Sequence, residues 1–409
     1  MCMKKLLLCV LVLLMQGCSG AVSQPSDIHM DGNRYEIEQD AQLQIYVPND
    51  SYGRELERLW DERYPAHKHA LHISTTKKSL NQQDIVWRSD WDALYETVQT
   101  YPLTGILRHL EYAWPSEFER AALQNRFFPV SGKGLIYVQN TYTAARRGLT
   151  EQDFEDFKNL KGVKDAYYQN RCRDYTLPFF FDREDEEDAP ISKNEVIKNQ
   201  EFRERLHRYR SFHEVLRLHD DTLDDAAFYE DGRYVSGLLM NDTSFSQSNA
   251  YTSMHLRFSP MPAYEDATLR PVLDVYGFMV NKATRYPNAV FAFLQLVRSQ
   301  EGIEALLKQR MFPLVQCEDV ERIGIYDTYV KQILCAMNAS QLRSSSYIKE
   351  KPSITLMELY EKKQSALSVT EQSLYKRKRL SGTKSHESGY NTLDTDTVIS
   401  VLFFLCGYR

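Results

Sequence analysis

Leu43-Gln44-Ile45-Tyr46-Val47-Pro48-Asn49-Asp50 is a short apolar strand pattern that runs into a turn. The residues beyond it change period. Leu56, Leu59, Trp60 and Tyr64 approximate one face at helical spacing, and Pro65 stops that helix. A second strand is expected over Ala70–Thr75 and a third over Asp84-Ile85-Val86-Trp87. A helix from Trp91 to about Gln99 comes next. Strands that alternate with helices imply a parallel sheet flanked by helices, an α/β fold.

The same alternation continues outward. Gly134-Leu135-Ile136-Tyr137-Val138 reads as a strand. Glu151–Leu160 reads as a helix, with Thr150 and Asp153 forming a variant of the capping box. Val290, Phe293, Leu294 and Val297 stand at i, i+3, i+4 and i+7. Ser299 then caps a second helix carrying Glu301, Ile303, Leu306 and Leu307. Further helices are expected over Tyr329–Asn338 and Leu356 to about Leu380. The acidic run Asp182–Asp188 contains no glycine for a calcium-loop turn and reads as a solvated loop. His207, His213 and His219 are six residues apart, a spacing that does not stack them on one helix face, and read as surface residues.

The N-terminus has a different logic. Lys4 and Lys5 precede an uncharged apolar run, Leu6–Met15, and Gln16-Gly17 lead into Cys18. This is the pattern of a secretory signal, and the run is shorter than the roughly 20 residues a spanning helix needs. Met15-Gln16-Gly17-Cys18 resembles the bacterial lipobox, with Met15 where Leu is usual. The expectation is a signal peptide over 1–17, a lipid (palmitate) anchor on Cys18 and a flexible tether over 18–40. The protein is then held at the extracytoplasmic face of the cell membrane. A net charge of −6 gives no basic footprint, so nucleic acid is not an expected partner. Cleavage would leave Cys172, Cys317, Cys335 and Cys406, with no CxxC pair. Cys317 and Cys335 are the only nearby pair, and the reading taken is buried free thiols. No P-loop and no GxSxG elbow is present, so no enzyme is expected, and neither a metal nor a cofactor.

Taken in order, these elements resemble the family 1 extracellular solute-binding proteins, the maltose-binding-like receptors of ABC importers. The resemblance spans roughly residues 43–380. Asp84-Ile85-Val86-Trp87-Arg88-Ser89-Asp90-Trp91 looks like the family's PD(I/V) strand and the loop after it. Phe128-Pro129-Val130, then Leu135-Ile136-Tyr137 with Asn140, looks like the crossover into a second lobe. Ala226-Ala227-Phe228 with Gly232 and Met240 looks like the motif that follows there. Tyr276-Gly277-Phe278-Met279-Val280-Asn281 looks like the return strand, and Ser299-Gln300-Glu301-Gly302 like the link between paired helices. Asn241-Asp242-Thr243-Ser244-Phe245 departs from the family's GGxW or GPW.

The resemblance implies a two-lobed, class II periplasmic-binding-protein-like α/β fold with the ligand cleft between the lobes. The first lobe takes 40–130 plus 277–318. The second takes 131–276 plus 319–380, and 381–409 is a disordered tail. It implies a monomeric, extracytoplasmic receptor that passes a small solute, carbohydrate foremost, to an ABC permease. A polyamine or other small-solute receptor, and a sensor or adhesin on the same fold, remain open. Ligands of open α/β sheets sit at the carboxyl ends of strands. Sugars need flat apolar faces and polar groups. The candidate contacts are therefore Asp50, Trp87, Arg88, Asp90, Trp91, Phe179, Asn241 and Phe245. Trp114, Phe180, Phe181 and Tyr251 are further candidate faces. Asp90 carries an alternative, as N-cap of the helix at Trp91.

Overall fold

The computed structural model describes residues 28–94, 97–115, 118–119, 127–162, 166–168, 173–176, 179, 204, 207–209, 211–212, 234–241, 255–265, 268–338 and 340–342. Its first elements are a small antiparallel hairpin, β1 (Met30–Asp31) with β2 (Arg34–Tyr35). The tether expected over 18–40 is thus docked structure from residue 28 onward. The Tyr35 ring meets Phe291 edge-on at 5.5 Å. Glu38 accepts hydrogen bonds from the Asn288 and Ala289 N–H groups, each at 2.9 Å. Those are orphan donors at the start of a helix whose own N-cap, Tyr286, supplies none.

β3 (Leu43–Tyr46), α1 (Asp50–Arg63), β4 (Leu71–Ser74) and β5 (Ile85–Ser89) follow. β3 pairs in parallel with both β4 and β5. Leu43, Ile45, Ile85 and Val86 are fully buried. Asn49 caps α1 by accepting from Tyr52 N at 2.8 Å, and the helix turns Leu56, Leu59 and Trp60 inward. α2 (Asp90–Leu94) is shorter than the helix expected to reach Gln99, since Val98 already lies in a bend. α3 (Thr104–Leu107) is a single turn.

β6 (Phe127–Asn140) is the axis of the molecule, far longer than the strand expected over 134–138. β6 is followed by α4 (Thr141–Arg146), β7 (Ala166–Tyr168), α5 (Arg173–Thr176), β8 (Ser236–Met240), β9 (Leu256–Ser259) and β10 (Val272–Val280). α6 (Pro287–Val297), α7 (Gln300–Lys308), β11 (Phe312–Pro313), α8 (Thr328–Met337) and β12 (Gln341–Leu342) complete the described order. The central ladder runs β4-β3-β5-β10-β6-β8-β7. It is continuous, but β6 changes partners along its length. Phe127–Gly134 pair with β10 and β11, whereas Leu135–Asn140 pair with β8 and β9. The exchange falls between Gly134 and Leu135, beyond the crossing expected near Val130.

Period-two alternation divides the cores at that point. Ile136 and Val138 join the large core built on β3, β5, β10 and α6, while Leu135 and Tyr137 face the other way. Tyr137 meets Phe157 at 5.7 Å, Phe157 meets Phe212 at 5.2 Å, and Phe212 meets Tyr264 at 5.2 Å, a second, aromatic core. α6 is largely apolar and is buried on every face, and the side-chain amide of its polar Gln295 donates to the Asn33 and His109 carbonyls, each at 2.9 Å. Ser299 caps α7 by accepting from Gly302 N at 3.3 Å.

Two expectations are corrected. Glu151–Leu160 keeps its capping box, with Thr150 N donating to Asp153 at 2.7 Å, but forms 3-10 turns rather than an α-helix. The backbone of Glu155 and Phe157 is taken by Ala263, so no i→i−4 ladder can propagate. Cys317 and Cys335 are joined in a disulfide rather than left as free thiols. The signal, Cys18, the acidic run, Cys172, His213, His219, Ala226–Gly232, the 356–380 helix and the 381–409 tail lie outside the described residues.

Candidate functional site

The carboxyl ends of the parallel strands β3, β4 and β5 lie side by side, where open α/β sheets hold their ligands. They present half-buried Tyr46, Ser74 and Ser89, with Asp50 exposed in the first turn of α1. Asp90 opens α2 and is 3% exposed. Ser89 pairs with Tyr276 on β10, so this edge runs directly onto the strands that join the lobes.

On those strands a polar strip emerges. Register pairs Tyr276 with Ser131 and Asp274 with Lys133, and paired residues of an antiparallel ladder share a face. Leu273 and Val275, on the opposite face, belong to the core. Lys133, Asp274 and Tyr276 are half-buried. Tyr175 brings its hydroxyl to Asp274 Oδ2 at 2.5 Å. The strip thus offers an ammonium, a carboxylate and phenols beside Ser89 and Asp90, at the point of partner exchange. Hydroxyl-rich ligands need such mixed donors and acceptors. Lys133, Tyr175, Asp274 and Tyr276 are not among the contacts expected from the sequence. Its available signal was a single charge in each of two otherwise uncharged strands.

Several expected contacts are engaged elsewhere. Trp87 is packed in the core, edge-on to Phe278 at 5.0 Å and Tyr52 at 6.0 Å. It faces inward because its strand is covered on that side. The Arg88 guanidinium is committed to the Trp87 and Lys78 carbonyls, at 2.9 and 2.5 Å, and lies 5.6 Å from the Tyr46 ring centre. Asn241 is 1% exposed and spends its amide on backbone, accepting from Gly134 N at 3.2 Å and donating to Gly132 O at 2.9 Å. Phe179 packs edge-on to Phe212 at 6.1 Å in the second core. Trp114 is 2% exposed and donates to Pro129 O at 2.8 Å. Phe180, Phe181, Phe245, Tyr251 and the Trp91 side chain lie outside the described residues.

The opposite face of the ladder is closed by α8. A Cβ on Gly132 would meet the side-chain ends of Leu314 at 2.9 Å and of Met337, on that helix, at 3.1 Å, so a larger residue there would require both to shift. Behind it lies a cavity of about 720 Å³, lined in part by Phe258, Pro260, Ile325, Tyr326, Lys331 and Cys335. Among the described residues no group of His, Cys, Asp and Glu could hold a metal ion, and no helix is long and apolar enough to cross a membrane.

This arrangement, a parallel sheet joined through shared strands to a second sheet with its own core, is the two-lobed α/β fold of the sugar-binding periplasmic proteins. Solved structures with this fold include the ligand-free maltodextrin-binding protein MalE1 from L. casei BL23. It superimposes with a TM-score of 0.56 at 11% identity, over 82% of this chain and 97% of that one. A cyclic α-maltosyl-1,6-maltose-binding protein from Arthrobacter globiformis gives a TM-score of 0.55 at 14% identity, over 82% and 98%. No protein-family model matches the sequence, and no curated protein sequence matches it.

Proposed function

We propose that this chain is the substrate-binding lipoprotein of a bacterial ABC importer. It captures a carbohydrate between its lobes and hands it, chemically unchanged, to a permease in the cytoplasmic membrane. The observation that carries this reading is the polar strip at the strand exchange, Lys133, Asp274 and Tyr276 beside Ser89 and Asp90. It lies where two lobes that close about a hinge would bury a solute. Two proteins that share the fold are named for binding maltodextrin and a cyclic maltosyl-maltose. The Cys317–Cys335 disulfide supports export, because such bonds persist in oxidising compartments. Cys18 holds the chain at the extracytoplasmic face through its lipid.

The test is a thermal-shift screen of malto-oligosaccharides, other sugars, spermidine and amino acids. A ligand that binds only the native state raises the melting temperature as its concentration rises. A malto-oligosaccharide or another sugar is expected to do so. A shift with spermidine and with no sugar would replace carbohydrate by polyamine.

A further inference from the structure

Residues 314–317 follow β11 and lead toward α8, and they grip each lobe in turn. Leu314 O accepts from Arg298 Nη1 at 2.7 Å, on the first-lobe side. Val315 O accepts from Asn338 Nδ2 at 2.9 Å, at the end of α8. Gln316 Nε2 donates to Trp114 O at 3.0 Å, back on the first-lobe side. Cys317 N donates to Asn338 Oδ1 at 3.2 Å, and its sulfur is bonded to Cys335 on α8. α8 itself packs on the second sheet, where Gln332 Oε1 accepts from Phe258 N at 2.9 Å and Tyr329 meets Phe258 edge-on at 5.8 Å.

The segment is also coupled to the axis strand. Phe312 pairs with Gly132, and Pro313 pairs with Ser131. A displacement of residues 314–317 is therefore felt on β6 next to Lys133 and just before the partner exchange. On the second-lobe side the segment is held by Asn338 and by the disulfide. The hydrogen bonds of the Asn338 side chain can be exchanged for bonds to water, whereas the covalent S–S bond cannot.

We infer that the Cys317–Cys335 disulfide is the positioning cross-link of the interlobe hinge. It ties the returning chain to α8 and so fixes the angle at which β6 passes from one lobe to the other. This rests on the reading that the lobes close on a solute, but the experiment needs no solute. Hydrogen exchange read by mass spectrometry on the ligand-free full chain compares the native protein with Cys317→Ser/Cys335→Ser.

Breaking the cross-link is expected to speed exchange about tenfold or more at residues 315–317 and also at Ser131–Leu135 and Asn241. α6, buried in the first lobe, should keep its rate. Faster exchange confined to 315–338 would overturn the inference and leave a local staple. A uniform rise that includes α6 would also overturn it, because the bond would then serve only global stability. If the double variant does not fold, native protein exposed briefly to a phosphine reductant gives the same readout with the same two outcomes. Failure of every solute to bind, with hinge exchange still responding, would remove the receptor reading and leave the cross-link in place.

Discussion

Asn241 and Gly134 hydrogen-bond to each other twice at the point where β6 changes partners. The Asn241 N–H donates to Gly134 O at 3.0 Å, and the Gly134 N–H donates to Asn241 Oδ1 at 3.2 Å. The Asn241 amide also reaches Gly132 O, so one side chain brackets Lys133 from both sides. Leucine matches its shape and supplies neither bond. Asn241→Leu should therefore leave a buried carbonyl and a buried N–H unsatisfied, and cost about 2–4 kcal/mol. Urea unfolding with an unchanged m-value checks this. A loss within experimental error would show that the clamp is dispensable.

Arg298 is 1% exposed and carries its charge into the core. It donates to Tyr112 O at 3.2 and 2.7 Å, to Ala113 O at 3.0 Å and to Leu314 O at 2.7 Å, and lies 5.3 Å from the Trp114 ring centre. The planar fork can satisfy three carbonyls at once, which a lysine ammonium does not span. Arg298→Met should destabilise the chain by roughly 3 kcal/mol or more, and Arg298→Lys should recover less than half of that. Calorimetric melting measures both. Met and Lys variants as stable as the native protein would mean that packing of the stem, not the fork, matters.

Much of this fold was legible because its elements are local. The β3–α1 alternation, the Ser299 cap and the paired helices are written in periods of two and 3.6 and in capping residues. The site was less legible because burial is decided at long range. Trp87 and Trp114 read as open aromatic faces until Phe278, Phe128 and Arg298 cover them from distant parts of the chain. Lys133 and Asp274 are not legible as a site because nothing local says that β6 and β10 bring them into register. The disulfide is hidden in the sequence for the same reason. Its two cysteines are 18 residues apart in sequence, and only the packing of α8 brings them together.

Glu55 joins α1 to α7. It accepts from Arg58 at 3.0 and 2.9 Å and from Lys308 at 3.2 Å. Hydrogen bonding from Arg58, and then from Lys308, holds its carboxyl down to about 2 from an ordinary 4.5. A folded value below the unfolded one means the stabilisation is present above about pH 4.5 and is lost as pH falls toward 2. Glu55→Gln should flatten the decline of the urea midpoint across that window, and salt should shrink the difference between the two proteins. Parallel curves for the two would exclude Glu55 from the acid response.

Cys18→Ala removes the thiol that the lipid would occupy. The variant should leave the membrane fraction and appear soluble in the periplasm or the medium, with an unchanged melting temperature. The proposed anchor, Cys18, precedes the described fold by about ten residues, which could span roughly 35 Å if extended. Retention of the variant in washed membranes would sink the lipoprotein reading.

Asp90 and Trp91 are the pair on which ligand contact is tested most sharply. The competing role, a helix cap, belongs to the neighbouring residue. α2 begins at Asp90, and the Ser89 hydroxyl accepts from Asp92 N at 3.1 Å, the bond an N-cap makes to the third helical residue. Ser89→Ala should therefore cost about 0.5–2 kcal/mol in ligand-free unfolding. Asp90→Asn keeps the shape and removes the charge beside the polar strip. It should weaken sugar binding by roughly tenfold, the loss expected when one charge-assisted bond is replaced by a neutral one. Trp91→Ala should weaken it too, if its ring stacks on the ligand. Each variant is measured by titration calorimetry and by melting without ligand. Unchanged affinity in both Asp90→Asn and Trp91→Ala would move the site away from the carboxyl end of β5. The Lys133–Asp274 strip would then be the place to look.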